Sequence, residues 1–189
     1  MGHGLPVGVG IAKAGKLLGK KYRVVILQGD GEMDEGSTWE GALIAAHQKL
    51  DNLLVIIDCN GWQSFGRTKD VLNLEPILDK WQSFGWKAVE INGHKFSDME
   101  IFKKIPLGKN KPTVILARTI KGKGLSAIED NNDWHYKTPG ELEIKSAEKE
   151  LFLAANTSSV SSRMKQTKTY SPKAKPRIPR ELARGSSFS

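Results

Sequence analysis

A single cysteine, Cys59, in 189 residues rules out an internal disulfide framework. With one thiol and no HExxH helix, a zinc centre has no ligand set either. The nucleotide-cradling patterns GxxxxGK[ST] and GxGxxG are absent, which removes the usual sequence grounds for a nucleotide-binding loop. Long hydrophobic runs are missing too. Leu53–Ile57, among the most apolar stretches, is far short of the ~20 residues that cross a bilayer. No charged-then-apolar stretch opens the chain, so a cytoplasmic, reducing location with no membrane association is expected.

The charge is present but unevenly placed. From Asn156 onward, eight basic residues face one acid, Glu181, so this end carries +7 of the net +8. A near-neutral body with a basic, Ser- and Pro-rich end reads as one folded domain, 1–155, followed by a solvated tail, 156–189, rather than as a nucleic-acid-binding surface. The body is long enough to bury a core unaided.

Three short apolar runs, 23–28 (RVVILQ), 53–58 (LLVIID) and 113–118 (TVILAR), are too short for helices and end in glycine or polar residues. Their near-continuous apolarity predicts strands of a parallel sheet covered on both faces. A weaker strand is expected at 87–91. Helices are expected over 6–18, despite Gly8 and Gly10, over 74–84 and over 141–155. Ser37-Thr38-Trp39-Glu40 has the spacing of a capping box, which predicts another helix running to Leu50. The fold class is therefore α/β, a parallel sheet flanked by helices. The pentapeptide WQSFG occurs at 62–66 and again at 81–85, in unlike surroundings that do not suggest a repeat.

Polar residues fall where such a fold binds ligands. Gly29-Asp30-Gly31 follows the first strand, and Asn60 lies just past the second. Strand C-termini of a parallel sheet share one edge, and neighbouring strands are ~4.8 Å apart. Asp30 and Asn60 can thus converge on one ion. Magnesium takes oxygen ligands, commonly one or two carboxylates completed by phosphate and water. Asp30 supplies charge, Asn60 a neutral oxygen, and the Trp62 carbonyl is placed to add a third donor. Glycines at 29 and 31 would let a bulky diphosphate approach the main chain. Lys121-Gly-Lys-Gly124 follows the third strand, on the same edge, where basic glycine loops suit anions. His47 and His94 read as structural.

The run GDGEMDEGSTWEGALIAAHQKLDNLLVIIDCNG, with Asp30 and Asn60 separated by 30 positions, resembles the thiamine-diphosphate motif of transketolases. The resemblance continues through EPILDKWQSFGW, INGH, PTVILARTIKGKG and DWHYKTP, and so covers roughly residues 2–155. It is nearest to the separate N-terminal subunit of split transketolases. By this resemblance the cofactors are thiamine diphosphate and Mg2+, with Asp30, Asn60 and the Trp62 carbonyl as metal ligands. Gly29, Gly31, Glu32, His3 and Gly4 lie by the same analogy beside the cofactor. Glu35 and Glu40 match glutamates at the subunit interface that link paired active sites, and His135 matches a histidine at the reacting end.

The implied reaction moves a two-carbon ketol unit from a ketose phosphate to an aldose phosphate. It requires a C-terminal partner subunit carrying the pyrimidine-binding domain, and self-association through the cofactor site. The chain departs from the family pattern at Ser64 and Phe65, where an aliphatic residue and aspartate are usual, and it begins inside a glycine-rich motif with no counterpart to the family's earlier portion. Alternatives are a catalytically inactive remnant that acts as a binding protein, or a subunit of another thiamine-diphosphate enzyme of the deoxyxylulose-phosphate synthase or 2-oxo-acid dehydrogenase type. The EGSTWE segment argues against the last two.

Overall fold

The computed structural model describes residues 1–157. Helix α1 (Gly4–Leu17) leads to β1 (Val24–Gly29), a 3-10 turn (Gly31–Asp34) and α2 (Gly36–His47). Then come β2 (Leu53–Cys59), a hairpin of β3 (Trp62–Gln63) and β4 (Gly66–Arg67), and the short helix α3 (Thr68–Val71). Helix α4 (Ile77–Ser83), β5 (Lys87–Asn92), α5 (Phe96–Met99) and β6 (Thr113–Arg118) complete the layers, and α6 (Glu141–Thr157) ends the described chain. Met1–Glu150 forms one compact unit. The expected tail falls almost wholly outside the described residues.

The main sheet has the order β1-β2-β6-β5, every neighbour parallel. The third predicted strand is thus inserted beside β2, with β5 outside it. One face packs on α1, α2 and α4 through Leu5, Val9, Ile26, Val55, Leu116 and Trp81. Trp81 is fully buried, stacked edge-on against Trp86 at 4.8 Å, and Trp86 Nε1 donates to the Ala42 carbonyl at 2.9 Å. Gly8 explains how α1 lies so close to the sheet: a Cβ there would sit 2.2 Å from Ile26 Cδ1.

Burial on both faces holds for β6, whose first five residues are all buried, and largely for β2. It does not hold for β1. Ile26 and Gln28 face the helices, whereas Val25 and Leu27 point away from them and are 58% and 73% exposed. Among the described residues the opposite face is covered from β5 across β6 to β2, where Phe102 and Ile105 pack on the cluster of Ile91, Ile115 and Leu54. The other edge strand, β5, is covered on that face through Val89 and Ile91, so what sets β1 apart is that no described segment packs over Val25 and Leu27.

The capping box does not form. Helix α2 begins earlier than that box predicts, with Glu35 at its N-cap, and Ser37 Oγ donates instead to the Gly2 carbonyl at 2.8 Å. A tertiary partner has taken the hydroxyl that local spacing reserved for the helix.

Candidate functional site

The register Gly29↔Asp58 puts the tips of β1 and β2 side by side, and the Asp30 N–H donates to the Asp58 carbonyl at 3.1 Å. Asp30 is only 3% exposed. Its Oδ1 accepts from the Gly31 N–H and its Oδ2 from the Gly61 N–H, both at 2.8 Å. One carboxylate thereby joins the first strand tip to the loop that carries Asn60. That loop turns at Gly61, whose φ of 75° lies in the left-handed region that favours glycine.

Burial pushes the Asp30 carboxyl above its usual range, and the nearby Asp58 charge adds to this, while the two backbone N–H groups partly offset it. Asp30 has no ion-pair partner among the described residues, although two guanidinium groups lie on the same cleft. Arg67 is taken by Asp130, and Arg118 by Glu75 and Glu90 at 2.7 and 2.9 Å.

Asn60 is held at both ends. Its Nδ2 donates to Asp58 Oδ2 at 3.0 Å, and its Oδ1 accepts from the Trp62 N–H at 2.9 Å. Asp58 is in turn held by the Thr119 hydroxyl, which donates to Oδ1. A cleft of about 520 Å³ opens beside these groups, lined in part by Asp30, Asn60, Gly61, Arg118 and Thr119. A second hollow of about 470 Å³ is lined by Asp58, Asn60, His94 and the Lys121–Lys123 loop, so Asn60 and Thr119 border both. A Cβ on Gly29 would meet nothing within 4 Å, and one on Gly31 would meet only the Gln63 side chain, at 3.1 Å.

These residues fit a hard divalent cation. A buried, unpaired carboxylate and a fixed carboxamide oxygen are the donor types such ions take, and each keeps lone pairs beyond its present hydrogen bonds. Asp30 and Asn60 would supply two of the donors.

The outer part of the site is built differently. Arg67 makes two bonds to Asp130, Nη1 to Oδ1 at 2.8 Å and Nη2 to Oδ2 at 2.6 Å, and its guanidinium lies 3.7 Å above the Trp62 ring. Trp62 Nε1 also donates to Asp130 Oδ1, at 2.8 Å. Arg67 and then Trp62 hold the Asp130 carboxyl down at about 2. This clamp ties the β3–β4 hairpin to the loop after β6. His135 lies above the same hairpin, Nε2 3.4 Å from Ser64 Oγ and Nδ1 3.5 Å from Lys121 Nζ. Lys123 is paired with Glu129 at 2.6 Å, so only part of the basic loop's charge is free for an anion.

The N-terminal residues meet the motif through Glu32, whose Oε1 accepts from the Gly2 N–H at 3.0 Å. Gly4 lies 3.7 Å from the same oxygen, measured from the Cβ it lacks, and His3 is exposed at the start of α1. Glu35 and Glu40 are exposed, and no hydrogen bond among the described residues links either to Asp30 or Asn60. His47 is also exposed, while His94 Nε2 accepts from the Ile120 N–H at 2.8 Å. Asp58, Arg67, Thr119 and Asp130 carried no signal in the sequence. Asp58 reads there as the last residue of a strand, and Arg67 and Asp130 stand 63 positions apart.

Fold and site together define a parallel α/β domain with a polar cleft at its strand tips, where a buried carboxylate and a carboxamide suit a cation. Residues 1–176 match the family model described as "Transketolase, thiamine diphosphate binding domain", and the chain belongs to that family. It is 44% identical over 151 residues to one subunit of the apulose-4-phosphate transketolase of Actinobacillus succinogenes, an overlap of 80% of this chain and 55% of that protein. The corresponding protein of Phocaeicola vulgatus is 41% identical over 80% of this chain and 54% of its own length. The chain spans about half the length of these curated relatives. Among solved structures, the transketolase of Campylobacter jejuni superposes with a TM-score of 0.73 at 30% identity, covering 79% of this chain and 25% of that one.

Proposed function

We propose that this chain holds thiamine diphosphate through Mg2+ and works as the N-terminal subunit of a two-subunit transketolase. The observation that carries the reading is the Asp30 carboxylate: buried, without a cationic partner among the described residues, and pinned by two N–H groups at the junction of two parallel strand tips. Asp30, Asn60 and the Trp62 carbonyl are the metal's protein ligands. Gly29, Gly31, Glu32, His3 and Gly4 flank the diphosphate. When bound, the cofactor supplies the carbon nucleophile that carries a two-carbon ketol unit.

The chain's own residues orient and shield. Asp30 and Asn60 fix the ion, the Arg67–Asp130 clamp holds the hairpin that bears Trp62, and His135 faces the reacting end of a ketose or aldose phosphate. Glu35 and Glu40 are exposed at the start of α2, and in this reading they meet a second copy or a partner. A partner subunit brings the pyrimidine-binding domain. The relatives named as subunits of a transketolase support this division of labour.

Calorimetric titration of the chain with thiamine diphosphate in the presence and absence of Mg2+ tests the reading. Saturable, metal-dependent binding is expected, with ketol transfer only after the partner subunit is added. Absence of binding would favour the non-catalytic remnant, and full turnover by the chain alone would contradict the two-subunit scheme.

A further inference from the structure

The residues that bind a cation are only as good as the groups that aim them, and Asn60 is the weakest-aimed donor of the site by chemistry. A carboxamide presents an oxygen or an N–H2 according to a rotation that changes its shape hardly at all. Presenting the wrong end to a cation converts an attraction into a repulsion. The carboxylate of Asp58 can only accept, so it fixes which end of Asn60 is nitrogen: Nδ2 faces Asp58 Oδ2 at 3.0 Å. The oxygen end receives the Trp62 N–H at 2.9 Å, in an Asx-type turn, and keeps a second lone pair. Either contact alone leaves the amide free to swing about the other, whereas the two together fix both ends.

Asp58 itself is fixed from the next strand. The Thr119 hydroxyl, one residue past β6, donates to Asp58 Oδ1, and the Thr119 N–H donates to the Cys59 carbonyl at 3.2 Å. A chain of donors and acceptors therefore runs from the tip of β6, through the tip of β2, to the amide of Asn60.

We propose that Asp58, braced by Thr119, is a positioning residue that sets the carboxamide of Asn60 oxygen-outward for a divalent cation. This inference rests on the cofactor-binding reading and adds to it a residue that stands behind the ligands. Outer partners of this kind are worth about 10–100-fold in metal affinity.

The test is made on the full chain. Mn2+ binding by electron paramagnetic resonance, with thiamine diphosphate present, gives the metal half-saturation, and the side-chain 15N spectrum of the cofactor-free chain reports the Asn60 amide directly. Asp58→Leu should raise the half-saturation by about 10–100-fold and shift the Asn60 NH2 signals toward solvent-exposed values. Asp58→Asn, whose amide oxygen can still accept from Asn60, should rescue both to within about threefold. Thr119→Val should fall between them, and it serves as the deciding variant if Asp58→Leu does not fold.

Wild-type half-saturation in Asp58→Leu, or in Thr119→Val when that variant decides, would overturn the proposal. So would an Asp58→Asn variant as impaired as Asp58→Leu, because charge rather than orientation would then be at work. If the wild-type chain binds no metal with the cofactor, the cofactor-binding reading falls and this one with it. If it binds and the Asn60 signals do not respond to Asp58, this inference alone falls.

Discussion

The inner and outer halves of the candidate site are held together by different physics. At the strand tips, a buried carboxylate is gripped by backbone N–H groups whose positions follow from sheet register, so the geometry is as rigid as the β1–β2 pairing. Around the hairpin, an exposed Arg67–Asp130 pair and a loose His135–Ser64 contact do the holding. Exposed ion pairs contribute little and weaken with salt, whereas buried charge is costly unless something answers it. The inner half thus gives up folding stability for a cation site, and the outer half tunes it.

Replacing Asp30 should separate the halves most sharply. Asp30→Asn should weaken Mg2+-dependent cofactor binding by more than about 100-fold, beyond the range seen for outer partners. In the cofactor-free chain the buried charge is removed, but the new carboxamide turns an NH2 toward one of the two N–H donors, Gly31 or Gly61, so the two effects oppose and the melting temperature should stay within a few degrees of wild type. Calorimetry and a thermal scan on one preparation check both, and cofactor binding weakened by less than about tenfold in a variant that melts like wild type would contradict the account of Asp30.

Acid should act on the halves in opposite directions. The native state holds the Asp30 proton more tightly than the unfolded chain does, so acidification from the raised native value toward the ordinary carboxylate range favours the cofactor-free fold. Asp130 is the reverse: its folded value is about 2, so its contribution is complete above the ordinary carboxylate range and is lost as the pH falls toward 2. Urea unfolding of wild type, Asp30→Asn and Asp130→Asn from about pH 3 to about pH 7, a span that brackets ordinary carboxylate values, should give differences from wild type that both grow toward neutral pH but with opposite signs, moving in favour of Asp30→Asn and against Asp130→Asn.

Salt should touch only the outer half. Arg67→Ala should cost about threefold in cofactor affinity in dilute buffer, and the gap should narrow toward ~1 M salt, where screening acts within ~3 Å. Titrations at two salt concentrations decide this, and a gap that widens would mean the clamp is not electrostatic. The smallest effect is expected for His135→Gln: cofactor affinity within about twofold of wild type, the scale of a weak exposed contact, with the loss appearing in turnover once the partner is present.

Strands β2 and β6 were legible because both lie inside the sheet, where continuous apolarity has one meaning. Strand β1 is similarly apolar, yet Val25 and Leu27 are uncovered because no described segment packs over them, as the one around Phe102 and Ile105 does over Ile91 and Ile115; a single sequence does not announce which part of a sheet a later segment covers. Asp30 and Asn60 were legible from their positions after strands, since a parallel sheet brings its tips to one edge. The capping box misled because the Ser37 hydroxyl found a partner in Gly2, far away in sequence. The duplicated WQSFG makes the same point: at 62–66 it spans the β3–β4 hairpin, and at 81–85 it ends α4 and turns out at Gly85. Five residues do not choose between these states; what packs on them does. The Arg67–Asp130 clamp and the Asp58–Thr119 brace join residues more than sixty positions apart, which no local pattern announces.

Cys59 closes β2 one step before Asn60, is 5% exposed, and has its thiol pushed up to about 12 by burial. At neutral pH it is almost entirely uncharged and shielded, and only the thiolate attacks disulfide reagents. Cys59 also borders the cleft at the strand tips, so the thiol is a slow reporter of that cleft. A chromogenic disulfide would be consumed slowly, and a ligand seated in the cleft would slow it further.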